Sequence, residues 1–436
     1  MKKLFSTKNP YLIFSPFLVV YVFLILYLPT NGKFGDETYY LKFAHNIVNG
    51  FYSPASPDID LMYGPGYPLI IAPFIALNLP LLFITLLNAA LYYFSIILLF
   101  KSLQQISTFR IAIVFSLFWA LYYHNFEQLH LIYTETITSF LISLIIFCVI
   151  KTFNPTTSVT NKKFIIIAGF ALGYIALIKV IFGYVLICML LGSCFLYLIN
   201  RKAVKYRSGL FILLISLATT LPYLTYTYHL TGRIFYWGTS GGTNLYWMSS
   251  PHPREYGDWI NFEKLENSYN NKYEYASMPG RSDSIRSNHL KDQEDLYKFK
   301  GVELDDQYRK IAIQNIKSYP IKFLQNCFSN LGRFFFNYPK SYVLQRPINL
   351  IRLPLNGTLL LFLIFSSLPT IINWHRIDYP IRFMIFIALL YMGGSILGST
   401  EPRMFSVIVP ILLIWIAYIY QKTVKINLQF DKTNTK

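Results

Sequence analysis

Residues 11–29 read YLIFSPFLVVYVFLILYLP, and a short break later residues 34–40 read FGDETYY. The first stretch carries no charge, and at 1.5 Å per residue it is long enough to cross a hydrocarbon layer of roughly 30 Å. The second sets two adjacent acids, Asp36 and Glu37, where the chain has just left that layer. Ionised groups there need partners or water, because an unpaired charge beside lipid is costly. A span followed at once by an acidic pair predicts a membrane protein with a polar site at one face.

Composition agrees with that expectation. Of 436 residues 54% are hydrophobic, 18% aromatic and only 14% charged, and the mean hydropathy is +0.40. These values lie outside the range of soluble globular chains and inside that of polytopic membrane proteins. The 39 Lys and Arg against 21 Asp and Glu need no nucleic acid, since basic residues of such proteins collect in cytoplasmic loops and no basic motif of a DNA or RNA reader is present. Cys148, Cys188 and Cys194 lie in apolar runs and Cys327 stands alone, so neither a disulfide framework nor a metal-ligand spacing follows. Met1-Lys2-Lys3 and Lys8 ahead of the first run resemble a signal anchor without a cleavage pattern, which predicts a retained span.

Outward from that span, the basic residues set the topology. The N-terminus is expected to be cytoplasmic and 30–64 to form an outer loop, with a surface helix from Asp36 to Asn49 that Asn49-Gly50 stops. Leu41, Ala44, His45, Val48 and Phe51 fall near helical spacing along it. Residues 65–100 exceed one crossing, but Asn78-Leu79-Pro80 interrupts them. Reading 65–79 as a re-entrant or interfacial piece keeps Lys101 to Arg110 inside, with the later basic loops. Crossings then follow at 110–124, 135–150, 164–178, 180–199 and 209–228, and after a long outer loop at 356–373, 380–397 and 404–420. The expected fold is all-α, a bundle of about ten transmembrane helices with both termini cytoplasmic. It divides into an N-terminal membrane module, 1–228, a large outer loop with helices, 229–340, and C-terminal spans with a short tail, 341–436.

In the large loop, Gly238-Thr239-Ser240-Gly241-Gly242-Thr243-Asn244 is turn-rich, and 251–300, with Pro279-Gly280, has the charge mixture of a solvated segment. Leu304, Tyr308, Ile311, Ala312 and Asn315 define a helical face. Tyr319-Pro320 breaks it, and Phe323, Cys327, Leu331 and Phe334 continue as an interfacial helix.

This topology brings Asp36, Glu37, Glu135, Lys179, Arg233, Glu401 and Arg403 to the same outer face, although none was used to build it. A shared cavity accounts for them together. Each also has a plainer account. Asp36-Glu37 suits a helix cap and first-turn acid, Glu135 a span-end acid after Thr134, and Lys179 a turn residue reaching to water. Glu401 and Arg403 suit a pair with each other or with lipid headgroups. Arg233 with the 238–244 glycines suits an anion nest or a plain turn. His45, His124, His130, His229 and His252 show no metal spacing and read as polar contacts. The chemistry such a set suits is transfer from a phosphate-linked donor, with a carboxylate as general base on an acceptor hydroxyl or amine and cations meeting the phosphate leaving group.

The residues resemble a known superfamily, the polytopic GT-C glycosyltransferases, particularly the branch of protein O-mannosyltransferases and the lipid A aminoarabinose transferase. The first loop carries the likeness: Gly35-Asp36-Glu37-Thr38-Tyr39-Tyr40, Ala44, Gly50 and Tyr63-Gly64-Pro65-Gly66-Tyr67-Pro68-Leu69. Glu135 in Tyr133-Thr134-Glu135, Lys179 between two short spans, and Glu401-Pro402-Arg403 before Val409-Pro410 are similar to further family positions. One departure stands: relatives often carry an Arg early in the second span, and Thr85 to Asn88 offers none.

The resemblance implies a multi-pass enzyme of the plasma (inner) membrane with its active site on the extracytoplasmic side. It implies a polyprenyl-phosphate sugar donor, a lipid, glycan or protein acceptor, and inversion in a single displacement. Asp36 is then the base, Glu37 and Glu135 orient acceptor or sugar, and Lys179, Arg233 and Arg403 meet the phosphate. Tyr40, Tyr63 and Glu401 line the pocket. It leaves room for a divalent metal, which no residue here demands, and no other cofactor is expected. Two other classes compete. A glycan polymerase or ligase relies on basic and His residues in its large loop, which the early acidic pair disfavours. A lipid-linked sugar transporter calls for repeated halves with a midplane ionisable site, and no repeat is found.

Overall fold

The first helix, α1 (Pro10–Tyr27), starts where Asn9 accepts a hydrogen bond from the Tyr11 amide at 3.1 Å and where proline, lacking an N–H, loses nothing. The computed structural model describes residues 9–153, 161–199, 204–260, 262, 281–342 and 347–422, and these contain helices and connections but no strand. Lys2, Lys3, Lys8, Arg201, Lys202, Lys425 and the Pro279-Gly280 turn fall outside the described residues.

After α1 come α2 (Glu37–Val48), α3 (Gly66–Ala76), α4 (Leu82–Ile106), α5 (Phe109–Ala120), α6 (Tyr123–Leu129), α7 (Glu135–Thr152), α8 (Lys162–Ile178), α9 (Ile181–Ile199) and α10 (Val204–Thr231). The large loop contributes α11 (Gly241–Met248), α12 (Arg281–Leu296), α13 (Gly301–Ser318) and α14 (Pro320–Phe336). A 3₁₀ turn then leads into α15 (Arg352–Ile372), followed by α16 (Tyr379–Ile396), α17 (Pro402–Ser406) and α18 (Val409–Lys422).

Among the described residues seven helices are long and apolar enough to cross a membrane: α1, α4, α7, α9, α10, α15 with its 3₁₀ lead-in, and α16. The fold is therefore that of an all-α integral membrane protein. A count of ten crossings would need α5, α8 and α18 as well, and these have 12, 17 and 14 residues. At 12 residues, α5 spans only about 18 Å. The interruption read at Asn78-Leu79-Pro80 is real: α3 has 11 residues, and Asn78 adopts a positive φ of 52°.

α7 is the middle of the bundle, with 78% of its apolar window buried against 17% for α1. It packs between α4 and α8, and α8 in turn packs on α10. Burying apolar surface does not by itself drive such contacts inside lipid, so polar bonds contribute. Ser95 of α4 joins Ser143 of α7 at 2.9 Å and accepts from Trp119 Nε1 at 2.9 Å. α18 is enclosed by α4, α7, α15 and α16, and every residue from Val409 to Ile419 is buried.

Helix ends sort into two groups. Gln105, Phe153, Lys205, His375, Arg376 and Lys422 line one cavity, which gathers the basic ends of α4, α7, α10, α16 and α18. Lys101 donates to Tyr11 Oη at the start of α1, at 2.8 Å. The loop after α4 thus shares an end of the bundle with the other basic loops, as the single crossing in 65–100 requires. At the opposite end lie the starts of α2 and α7, the break between α8 and α9, and α17.

Two helical faces differ from expectation. α2 buries Glu37, Tyr40, Phe43 and Ala44 and exposes His45, Val48 and Phe51, because its aromatic side stacks on Tyr52, Tyr63 and Tyr67. α14 turns its polar stripe inward, with Asn326, Asn330 and Arg333 all fully buried, while Ile321, Leu324 and Phe328 face out. The inward groups satisfy carbonyls at the end of α11 and in the irregular segment after it: Met248 and Ser250 are bonded by Asn326, and Tyr256 by Arg333. Buried polar atoms need such partners. The segment read as solvated also packs inward: Glu255, Asp258 and His289 are buried.

Candidate active site

At the start of α2 the two acids part company. Asp36 occupies the N-cap position but makes no side-chain capping bond. Its Oδ1 instead accepts from Tyr63 Oη at 2.9 Å, and its Oδ2 from Arg403 Nη2 at 2.5 Å. Glu37 is fully buried. Its Oε1 accepts from Thr30 Oγ1 at 2.7 Å and the Ile132 amide at 2.8 Å, and its Oε2 from the Phe34 amide at 2.9 Å. Glu37 therefore ties the first loop to the segment before α7. The carboxylate expected to orient acceptor or sugar is thus held by the chain's own donors.

The turn that separates the acids depends on Gly35. Its φ is +54°, and a Cβ there would stand 2.3 Å from Tyr133 Oη, so both backbone and space require glycine. Gly64 plays the matching part on the other side of the site. A Cβ on it would meet the Leu177 carbonyl at 2.1 Å, and its absence lets the Tyr63 segment lie on the end of α8 that carries Lys179.

From Asp36 a line of alternating charges runs inward. Arg403 Nη1 lies 4.0 Å from Glu135 Oε2, and Glu135 Oε1 lies 2.9 Å from Lys179 Nζ. Glu135 and Lys179 side chains are 3% and 12% exposed, whereas Asp36 and Arg403 are 21% and 20% exposed. The outer pair is thus the one a substrate reaches first. The Arg403 guanidinium also sits over the Tyr133 ring at 4.8 Å. Burial alone would raise the Asp36 carboxyl, but the Arg403 guanidinium, the Tyr63 hydroxyl and the Lys179 charge outweigh it and hold the carboxyl below the usual carboxylate range.

Surrounding groups fix these positions. Lys179 ends α8 in an extended conformation, at the break before α9. Tyr63 is held through its carbonyl, which accepts from Tyr52 Oη at 2.7 Å, and its ring packs at a tilt against Tyr40, centroids 4.9 Å apart. Arg403 rides on α17, whose Met404 carbonyl accepts from Tyr391 Oη at 3.0 Å. Ahead of it, Asn330 of α14 receives the Thr400 amide at 3.0 Å, and Lys340 pairs with Glu401 at 2.8 Å. The large loop thereby sets where Arg403 stands.

Two expected members lie elsewhere. Arg233 forms a bidentate pair with Asp306 of α13 and no ion pair with the cluster among the described residues. The glycine turn nearby does cradle an anion, but it is the chain's own: the Gly242 amide donates to the Asp305 carboxylate at 2.6 Å. Glu401 pairs with Lys340 rather than with Arg403. Residues that sequence reasoning missed are Tyr133, Tyr391, Thr30 and Asn330. Only Tyr133, two positions before Glu135, carried a local signal.

No family model matches the chain, and no curated protein matches it. Solved structures do. The Archaeoglobus fulgidus oligosaccharyltransferase, tethered with an acceptor peptide containing the NVT sequon, aligns over 94% of this chain and 49% of its own at 12% identity, with a TM-score of 0.50. ArnT from Cupriavidus metallidurans, bound to undecaprenyl phosphate, aligns over 94% of this chain and 76% of its own at 12% identity, with a TM-score of 0.40. The chain spans about half the length of the oligosaccharyltransferase. At this identity the likeness to the oligosaccharyltransferase is one of fold alone, an all-α membrane bundle as the sequence led us to expect.

Proposed function

We propose that the protein is a membrane glycosyltransferase that moves a sugar from a polyprenyl-phosphate donor to a lipid, glycan or protein acceptor on the outer face of the membrane. The observation that carries this reading is the part-exposed Asp36–Arg403 pair, a carboxylate and a guanidinium in contact at the mouth of the cluster. Asp36 takes the acceptor proton, the acceptor oxygen or nitrogen bonds to the anomeric carbon, and the carbon–phosphate oxygen bond breaks with its electron pair leaving on the phosphate. The configuration at that carbon inverts.

The charges change in a way that suits the cations. A phosphodiester carries one negative charge, and the departing polyprenyl phosphate carries up to two, so Arg403 and Lys179 stabilise the late charge more than the early one. Donor phosphate also competes with Asp36 for Arg403. Losing that partner raises the carboxylate's basicity as the donor arrives, which turns a weak base into a better one. Glu135 keeps Lys179 aimed at the same point. In this reading Tyr40 and Tyr63 form the sugar-facing wall, while Arg233 and Glu401 brace the large loop.

Lipid and glycan mass spectrometry of cells with and without the intact gene tests the reading. A sugar residue missing from a lipid, glycan or protein in its absence is the expected result. Accumulated unmodified lipid-linked oligomers would favour a ligase instead.

A further inference from the structure

His252, Glu255 and His289 meet in the large loop, apart from the charged cluster. Their donor atoms all lie within 4.8 Å of one another. Glu255 and His289 are buried, at 3% and 2% exposure, and His252 is half-buried. His289 Nε2 stands 2.7 Å from Glu255 Oε2, and the two imidazole rings meet edge to face with centroids 5.3 Å apart.

A second tier of bonds orients these groups. Tyr246 Oη donates its one proton to Asp292 Oδ2 at 2.9 Å, so toward His289 Nδ1, 2.6 Å away, it is an acceptor. That keeps the His289 proton on Nδ1 and turns Nε2 to Glu255. Glu255 Oε1 receives Asn288 Nδ2 at 2.9 Å, and Oε2 receives Ser250 Oγ at 2.5 Å. Something positive must stand between Nε2 and the carboxylate. A proton would suffice for that pair alone, but it gives no reason for a second imidazole at the same point.

We propose that His252, Glu255 and His289 bind a divalent transition metal, for which zinc fits best. Two imidazole nitrogens and one carboxylate oxygen are a common zinc donor set, with water as the fourth ligand. The hydrogen bond from a ligating His through Tyr246 to Asp292 is the outer-shell arrangement that raises ligand basicity. Zinc bonds of about 2.0–2.2 Å hold ligands roughly 3–3.6 Å apart, so on binding the widest donor separation closes by about an ångström while the 2.7 Å His289–Glu255 pair opens by a few tenths. Lys322 Nζ lies nearby, but it bonds the Glu255 carbonyl and Asn326 Oδ1, not the donor atoms.

The metal would staple α12, which carries His289, to the 250–260 segment, and that segment hangs on Asn326 of α14. The same helix positions Thr400 ahead of Arg403. The role is structural, so the proposal does not depend on the transfer reaction. Sequence spacing hides the site because the third ligand lies on α12, 34 positions beyond Glu255.

The test uses the full chain without an affinity tag, purified in detergent, stripped with chelator, incubated with zinc, desalted and measured by elemental mass spectrometry. About one zinc per chain is expected, falling below about a fifth in His252→Gln and in Glu255→Gln, with about one retained in Asp36→Asn. Tyr246→Phe, which keeps the ring's shape, is expected to weaken zinc affinity about 10–100-fold. No zinc in the wild-type chain, a full equivalent in His252→Gln, or loss in Asp36→Asn would overturn the proposal. If either ligand variant fails to fold, Tyr246→Phe decides, and an unchanged affinity there overturns it too.

Discussion

Arg403 Nη2 reaches Asp36 Oδ2 at 2.5 Å across 367 positions of chain, and so closes the first outer loop onto the segment before the last helix. Each partner has a further hold: Asp36 on Tyr63, and Arg403 on the ring of Tyr133 and toward Glu135. The pair is thus a junction between three stretches that the membrane helices carry separately. A phosphate entering there exchanges places with a carboxylate already in position.

Asp36→Asn is expected to leave the fold intact, because asparagine has the same size and still accepts from Tyr63, and at this part-exposed position its amide nitrogen and the released Arg403 can turn to water, as the buried Glu37 cannot. Transfer should fall by about 10²–10⁴-fold, the worth of a positioned general base. Turnover by purified enzyme, beside size-exclusion behaviour in detergent, measures both. Wild-type turnover in the variant would remove Asp36 from the chemistry.

Glu37→Gln is the contrasting case one residue along. Its amide nitrogen would face donors that now meet a carboxylate, and an orphaned buried donor costs about 1–3 kcal/mol. Thermal unfolding in detergent should show a lower midpoint, with turnover per folded molecule changed far less than in Asp36→Asn. A normal midpoint with abolished turnover would reverse the roles of the two acids.

How far the sequence was legible follows from where each signal sits. Uninterrupted apolar runs made the long helices readable, and Asn78-Leu79-Pro80 marked the short α3, because both effects are local. Resemblance alone sets Asp36 above Glu37; spacing cannot choose, since neighbours on a helix point about 100° from each other and only the tertiary surroundings say which direction is buried. The partners of Arg233 and Glu401, Asp306 and Lys340, lie 73 and 61 positions away, so no local pattern shows either pairing. On α14 the expected face is half-buried at Phe323, Cys327 and Leu331 and fully buried only at Phe334, because Asn326, Asn330 and Arg333 share the inward side and bond carbonyls there.

Arg403→Gln should raise the KM for donor more than that for acceptor and shift the acid limb of kcat/KM. In the free enzyme Arg403 holds the Asp36 carboxyl low, so the base stays ionised as pH falls to below the ordinary value of about 3.9. Without the guanidinium, burial prevails and the limb moves upward. The same linkage fixes the stability sign. A depressed folded-state value contributes stability that is present above the unfolded pKa and lost as pH falls through the lower folded one, so the variant should lose its acid-side stability dependence. An unmoved limb would assign that limb to another group.

Lys101 and Asp36 lie at opposite ends of the bundle. Single cysteines introduced as Lys101→Cys and Thr38→Cys, in a chain freed of Cys148, Cys188, Cys194 and Cys327, should differ toward an impermeant thiol reagent. Labelling of intact cells is expected at position 38 and not at 101. Outside labelling at 101 would reverse the orientation that the basic loops imply.

The inner pair separates packing from chemistry. Lys179→Met alone leaves Glu135 buried beside only the more distant Arg403, and breaking one side of a buried pair costs about 3–5 kcal/mol. Glu135→Gln with Lys179→Met removes both charges from the same volume, so the double variant should regain much of the lost stability in detergent unfolding. Turnover should not return with it. Lys179 in this mechanism meets the phosphate as its charge grows, and methionine supplies nothing in exchange. Recovery of stability and turnover together would make the pair a structural brace and leave Arg403 as the cation that answers the leaving group.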